Sequence, residues 1–178
     1  GLQSEQYLQQ GDATSIELGA RFHPLPEKKG SMTAFRTDNR DDILFRSVSV
    51  TGQQGYFENF PRTRYLGLDA ELEGRAGPVN VQLAYSHLRA TYESNGGLRL
   101  GDRNVAIVPG TRIASLPRHM LKIGADWQAG PGVTLGADVQ VLSRRGTAGN
   151  EDGLLEDEGT TAVNMDLPGY AIVNLRAS

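Results

Sequence analysis

Apolar and polar residues alternate with a period of two over six stretches of the chain. That spacing puts apolar side chains on one face of an extended strand. In residues 15–22, Ile16, Leu18, Ala20 and Phe22 oppose Ser15, Glu17, Gly19 and Arg21. In residues 65–73, Leu66, Leu68, Ala70 and Leu72 oppose Gly67, Asp69, Glu71 and Glu73. Val79, Val81, Leu83 and Tyr85 alternate with Asn80, Gln82, Ala84 and Ser86, and Leu121, Ile123, Ala125 and Trp127 with Met120, Lys122, Gly124 and Asp126. Val133, Leu135, Ala137, Val139 and Val141 oppose Thr134, Gly136, Asp138 and Gln140; Ala171, Val173 and Leu175 oppose Ile172, Asn174 and Arg176. No window shows a comparable helical period.

A soluble antiparallel sheet and a membrane barrel share this period, so the connections have to separate them. Residues 23–29, 75–78 and 128–132 are short links carrying Pro or Gly, as tight turns require. Residues 50–61, 93–117 and 144–168 are long links. Short and long take turns along the chain, which sends all short links to one end of the sheet and all long ones to the other. Outer-membrane barrels have this asymmetry. The same parity makes 30–49 one long strand with a polar middle and a bulge, although Thr37-Asp-Asn-Arg-Asp-Asp42 contains turn-forming residues. The expectation is an all-β, antiparallel up-and-down meander of seven strands forming part of a transmembrane β-barrel. Seven is an odd number and an open sheet leaves two edges, so the chain, 1–178, reads as a fragment of one barrel domain whose further strands flank it.

Composition narrows the chemistry. The 178 residues include 22 glycines, glycine-heavy for a helical protein, and 18 basic against 21 acidic side chains give a formal charge of −3. That balance does not suit a nucleic-acid binder reading phosphates through a basic face. With no cysteine there is no disulfide, thiol nucleophile or thiolate metal site, and His23, His87 and His119 lie far apart in sequence. No strictly apolar run exceeds the four residues from Val105 to Val108, so no helix is long enough to span a bilayer. The first residues lack a secretion signal, which leaves either a cytoplasmic chain or one whose beginning lies elsewhere.

Several local patterns together resemble the C-terminal part of the barrel of TonB-dependent outer-membrane receptors. Ser15-Ile-Glu-Leu-Gly-Ala-Arg21 is similar to the family's Glu-x-Gly-x-Arg strand, and residues 30–43 to the strand after it. Asn59 with Arg64-Tyr-Leu-Gly-Leu-Asp69 resembles Asn…Arg-x-x-Gly-[Val/Leu]-Glu, with Asp69 where Glu is commoner. Ala84-Tyr-Ser-His-Leu-Arg-Ala90, Val108-Pro109 and Leu116-Pro-Arg-His119 resemble the Tyr-Ser-x-x-x-Ala strand and the proline-bearing return to the next. Gly149-Asn-Glu-Asp152 and residues 167–176 are similar to the iron-complex branch, including ferric citrate type receptors. The resemblance implies about seven strands of a barrel of roughly 22, plugged by an N-terminal domain absent from this sequence. It further implies a Gram-negative outer-membrane receptor for a ferric siderophore or similar scarce ligand, in contact with outer-membrane lipid, energised by TonB through the absent plug region, and not an enzyme.

On that reading Asp69, Glu71 and Glu73 face a wet lumen, where water and plug donors solvate carboxylates. Ligand contact is expected from outer loops, where aromatic and cationic groups meet an anionic chelate: Tyr56, Phe57, Arg62, Arg112, Arg144 and Arg145 are the candidates. Tyr85, Tyr92 and Trp127 are expected in interfacial girdles, Trp127 at the short-turn end. His87 falls on the lipid-facing parity near the outer rim as a snorkelling polar group. Glu151-Asp152 and Glu156-Asp-Glu158 have the oxygen ligands for a divalent cation but no ordered ligand spacing, and a solvated acidic tip fits them better; no metal, cofactor or catalytic group is assigned. The rivals are a passive porin, a rim enzyme and a soluble β-sandwich binding module.

Overall fold

Two-residue turns and long upper connections join antiparallel strands into one continuous meander. The computed structural model describes residues 8–47, 55–100, 103–148, 150–151 and 166–178. Its elements are β1 (Asp12–Leu25), β2 (Lys28–Ser47), β3 (Gly55–Ala76), β4 (Val79–Tyr92), β5 (Gly96–Leu100), β6 (Arg103–Ile107), β7 (His119–Gly130), β8 (Val133–Leu142) and β9 (Tyr170–Ala177). Seven of them form one sheet in the order β1-β2-β3-β4-β7-β8-β9; β5 and β6 form a separate hairpin. β1 and β9 are its two edges, so the barrel is not closed within this chain.

All seven expected strands are present; six extend beyond their alternating windows, and β2 covers Lys28–Ser47 against the expected 30–49, whose last two residues lie outside the described ones. The three turns at one end are Pro26-Glu27, Gly77-Pro78 and Pro131-Gly132. Gly77 has φ +59° and Gly132 +74°, left-handed values that glycine reaches without steric cost. Glycine before proline at Gly77-Pro78 suits a type II′ hairpin, and proline before glycine at Pro131-Gly132 a type II turn. The long links, from β2 to β3, β4 to β7 and β8 to β9, join strand ends at the other end, as the parity of short and long links requires.

Direct cross-strand partners project from the same face, so the register turns the alternation of each strand into rows. One row runs Phe22, Gly30, Leu72, Leu83, Ile123, Val139 and Val173; the lowest holds Ala76, Val79, Trp127, Leu135 and Ala177. No second layer covers these rows among the described residues: Leu18 is 78% exposed and Leu175 81%, and Leu66, Leu72, Val81 and Trp127 are exposed as well. A soluble sandwich would bury them. An uncovered apolar surface extending over seven strands is the signature of a membrane or partner face. From Leu66 to Ala76, the ten residue steps of β3 cover about 25 Å of height at the strand rise and tilt of membrane barrels, which matches the hydrocarbon band.

Two expectations change. The bulge foreseen in 30–49 is absent: β2 pairs with β3 from Lys28–Gly74 to Ser47–Gly55 without a register shift. The irregularity is instead Asp41, at φ +52°, opposite Pro61. Pro61 has no N–H to give to the ladder, so the backbone is free to kink there without losing a bond. Second, the link 93–117 is not wholly irregular, because it contains β5 and β6.

Glycine lets an aromatic ring lie flat on the sheet at Gly67. A Cβ at that position would overlap the ring of Phe35, its partner on β2. Gly67→Val should therefore destabilise the folded barrel by roughly 1–3 kcal/mol through overpacking. The thermal midpoint of the folded-to-unfolded mobility shift on a gel should fall, and adding Phe35→Ala should recover part of the loss.

Candidate functional site

The second face of the sheet is concave and polar. Arg21, Glu71, Gln82, Lys122, Asp138 and Asn174 line a trough of about 680 Å³ along it. Asp69, Glu71 and Glu73 stand on this side, as the alternation of β3 requires. Lys29 pairs with Glu73. Arg176 on β9 reaches two carboxylates: its Nη2 donates to Asp126 Oδ1 at 2.6 Å, and its Nη1 donates to Asp138. The guanidinium passes over Gly136, where any Cβ would collide with it. These side chains are between a third and a half exposed, so each pair contributes little stability and much local field.

Above the apolar band the inward and outward positions exchange along β2 and β3. Asn39, Thr63 and Tyr65 face inward at odd positions, and the hydroxyls of Thr63 and Tyr65 and the Asn39 Nδ2 all donate to Asp42 Oδ2. Asp42 therefore also faces inward, one residue out of phase, because the positive φ of Asp41 turns the chain. Asn59 Nδ2 holds the kink by donating to the Asp41 carbonyl at 2.7 Å. The exchange brings Phe60, the partner of Asp42, to the inner side as well.

Phe60 then meets the β5–β6 hairpin. Phe60, Tyr92, Leu98, Val105 and Ile107 form a cluster at most 3% exposed, with Leu44 and Ile113 packed against it. The rings of Phe60 and Tyr92 have centroids 4.5 Å apart. Phe60 lies over Gly96, where an added Cβ would come within 2.7 Å of the ring. The segment 110–113 runs beside β4 and completes the support: Tyr92 N–H donates to the Thr111 carbonyl at 2.8 Å and Ile113 N–H to the Ala90 carbonyl at 3.0 Å. The hairpin thus folds onto the polar side of the sheet at the long-loop end.

The six loop candidates fall in three places. Tyr56, Phe57 and Arg62 are residues of β3, not of a loop, because strand pairing continues past the apolar rows to Gly55. The backbone of Tyr56 lies opposite Arg46, and Phe57 is exposed. Arg62 sits beside inward-facing Thr63 and so projects outward. Arg112 forms a bridge with Thr91, again on the outward parity. Although Arg112 is exposed as a residue, desolvation of its guanidinium, and then the positive charges of Arg118, Arg89 and Arg144 against Asp166, push it below its ordinary value. Arg144 and Arg145 follow β8, and Arg145 pairs with Leu167. The structure does not gather the six into one cluster. Tyr92 is a core residue rather than a girdle aromatic. Trp127 is exposed at the short-turn end, and Tyr85 donates or accepts a 2.8 Å bond with His119 Nδ1 on the outward face. His87 also faces outward, its ring 4.9 Å from that of His119. Among the described residues no three His, Asp or Glu side chains are grouped to hold a metal; Asp152 and 156–158 lie outside them.

Sequence reasoning missed the hairpin. Leu98 and Leu100 alternate before Gly101-Asp102, and Val105 and Ile107 after it, which is a short hairpin signal. The apolar run from Val105 to Val108 concealed the alternation.

The fold and its polar inner wall can now be set against known proteins. The sequence model of the TonB dependent receptor-like β-barrel family matches residues 5–178, and the chain belongs to that family. Among solved structures it is similar to the siderophore receptor PiuA from Acinetobacter baumannii, with a TM-score of 0.64 at 16% identity over 93% of this chain and 22% of that one. The ferric-catecholate import receptor Fiu from Escherichia coli gives 0.61 at 16% identity, over 94% and 21%. A ferric enterobactin receptor mutant from Pseudomonas aeruginosa, PfeA, in complex with enterobactin, gives 0.61 at 19% identity, over 94% and 23%. The chain spans between a fifth and a quarter of these proteins. No curated protein matches the sequence.

Removing the acceptor shared by Asn39, Thr63 and Tyr65 should loosen the kink that presents Phe60. Asp42→Ala is expected to cost roughly 1–3 kcal/mol locally, as for a lost charged acceptor. Limited proteolysis should then cut within residues 96–107 at least severalfold faster, with the band of paired strands unaffected.

Proposed function

We propose that this chain is a stretch of barrel wall from a Gram-negative outer-membrane receptor that takes up a ferric siderophore or a similar iron complex by TonB-dependent active transport. The family match over residues 5–178 carries this reading. The siderophore receptors among its structural neighbours support the ligand class. Family members are receptors and transporters rather than enzymes. The plug, and with it the contact to TonB, belongs to the part of the receptor outside this chain.

In this reading the polar trough is lumen wall. Its alternating cations and carboxylates hold water and offer hydrogen bonds to the plug, while the hairpin limits passive leakage at the mouth. Ligand capture is assigned to Tyr56, Arg144 and Arg145, at the upper ends of β3 and β8; Phe57, out of phase with inward Phe60 and with Glu58 opposite inward Leu44, faces outward. Aromatic faces and guanidinium forks there suit an anionic, partly aromatic chelate. Arg62 and Arg112, on the outward parity, are set apart from that role.

Cells that depend on the full receptor for iron should grow on a ferric catecholate siderophore and should stop taking up radio-iron when TonB is removed. Uptake that continues without TonB, or passage of unrelated small solutes, would instead mark a passive pore. In the purified receptor, Arg144→Ala with Arg145→Ala should raise the Kd for the ferric siderophore by about tenfold, the loss of one charge-assisted contact, with the barrel still folded.

A further inference from the structure

The outward face carries a belt of arginines directly above its apolar rows. The cross-strand partners set Ile16, Arg36, Leu66 and Arg89 in one row, and Thr14, Asp38, Arg64, Thr91 and Arg112 in the next. Asp12, Arg40 and Arg62 form the row above. The row beneath is Leu18, Ala34, Leu68, His87 and His119, the top of the membrane-facing surface. Leu88 and Ala90 flank Arg89 on the opposite, inward side; Ala90 is buried and Ile113, bonded to its carbonyl, packs on the hairpin cluster. The belt therefore looks away from the lumen.

Its charges do not cancel. Six arginines face four acids: Asp12, Asp38, Glu93 and Asp166, whose charge reaches Arg112. Asp38 accepts from Arg36 and Arg64, both at 2.6 Å, and Arg64 also reaches Glu93 at 2.8 Å. Arg40, Arg62, Arg89 and Arg112 form no ion pair among the described residues, and Arg40 and Arg62 are direct cross-strand partners. Like charges placed opposite each other destabilise a sheet unless a counter-charge lies between them. A guanidinium fork matches the oxygens of a phosphate, and one residue step away begins a surface made for acyl chains.

We propose that this belt docks the phosphates of an anionic phosphorylated glycolipid headgroup in the adjoining leaflet, with the acyl chains lying along Ile16, Leu18, Leu66 and Leu68. A soluble anion would use the guanidinium groups but not the apolar rows beneath them; a lipid uses both. The proposal rests on the outer-membrane reading above.

The test uses the full receptor, purified folded in uncharged detergent and titrated with bis-phosphorylated lipid A, with phosphatidylglycerol and inorganic phosphate as comparisons. Lipid A should bind in a salt-sensitive manner and more tightly than either comparison. Arg40→Gln with Arg89→Gln should weaken it about tenfold, whereas Lys122→Gln on the concave face should leave it unchanged, with folding of each variant checked by the heat-dependent gel shift. Equal binding by wild type and the double variant overturns the proposal. So does an equal loss in Lys122→Gln, or competition by phosphate or phosphatidylglycerol as strong as that of lipid A. Recovery of the receptor outside the outer-membrane fraction would overturn the location instead, and the micelle titration still reads the belt.

Discussion

In hydrocarbon an unbonded peptide group has no water to turn to, so a chain that faces lipid must satisfy its backbone strand to strand. The rest of this structure depends on that constraint. It keeps β2 and β3 in one register over their whole paired length, from Lys28–Gly74 to Ser47–Gly55. It also makes register a matter of energy: a slip of one residue would send Asp69, Glu71 and Glu73 outward and Leu66, Leu68, Ala70 and Leu72 into the lumen. Moving a charge to the lipid face at mid-depth costs up to a few kcal/mol, less for a carboxylate than for a cation, and several would move together.

Where water returns, the constraint relaxes. Asp41 takes a left-handed conformation opposite a proline, at a height above the last apolar row, and the facing of both strands reverses. The reversal costs no ladder bond that Pro61 was able to make. It presents Phe60 to the inside, where Tyr92, Leu98, Val105 and Ile107 complete the small core under the hairpin. The same barrel wall thus has two apolar features. One is an uncovered apolar surface spread over seven strands on the outside; the other is a compact buried cluster on the inside.

The arginine belt follows from the same geometry. Arg36, Arg64 and Arg89 are separated by one or two strand crossings in sequence, yet the ladder brings them to adjoining rows. They stand where the apolar rows of the outward face end, so each guanidinium projects beside apolar side chains on one side only.

Period-two alternation around Leu66, Leu68 and Leu72, and the proline–glycine turns at 77–78 and 131–132, identified the spans and their common end, because the contrast between lipid and water is felt residue by residue. Residues 55–61 carry no such contrast between their two faces, so by pattern they read as part of a long link although they belong to β3. The apolar run at 105–108 hid the hairpin for the opposite reason: with no polar residue between Val105 and Ile107, nothing marked their shared face. The sequence by itself determined how many strands the meander has, which side of each is apolar and which polar groups share the other face. Only the tertiary structure decided that Phe60 turns inward, that Tyr92 is core, that Arg62 and Arg112 face away from the mouth, and that six arginines share one surface. Those are facts of register and of a single positive φ, and they act between segments tens of residues apart, where no local pattern reaches.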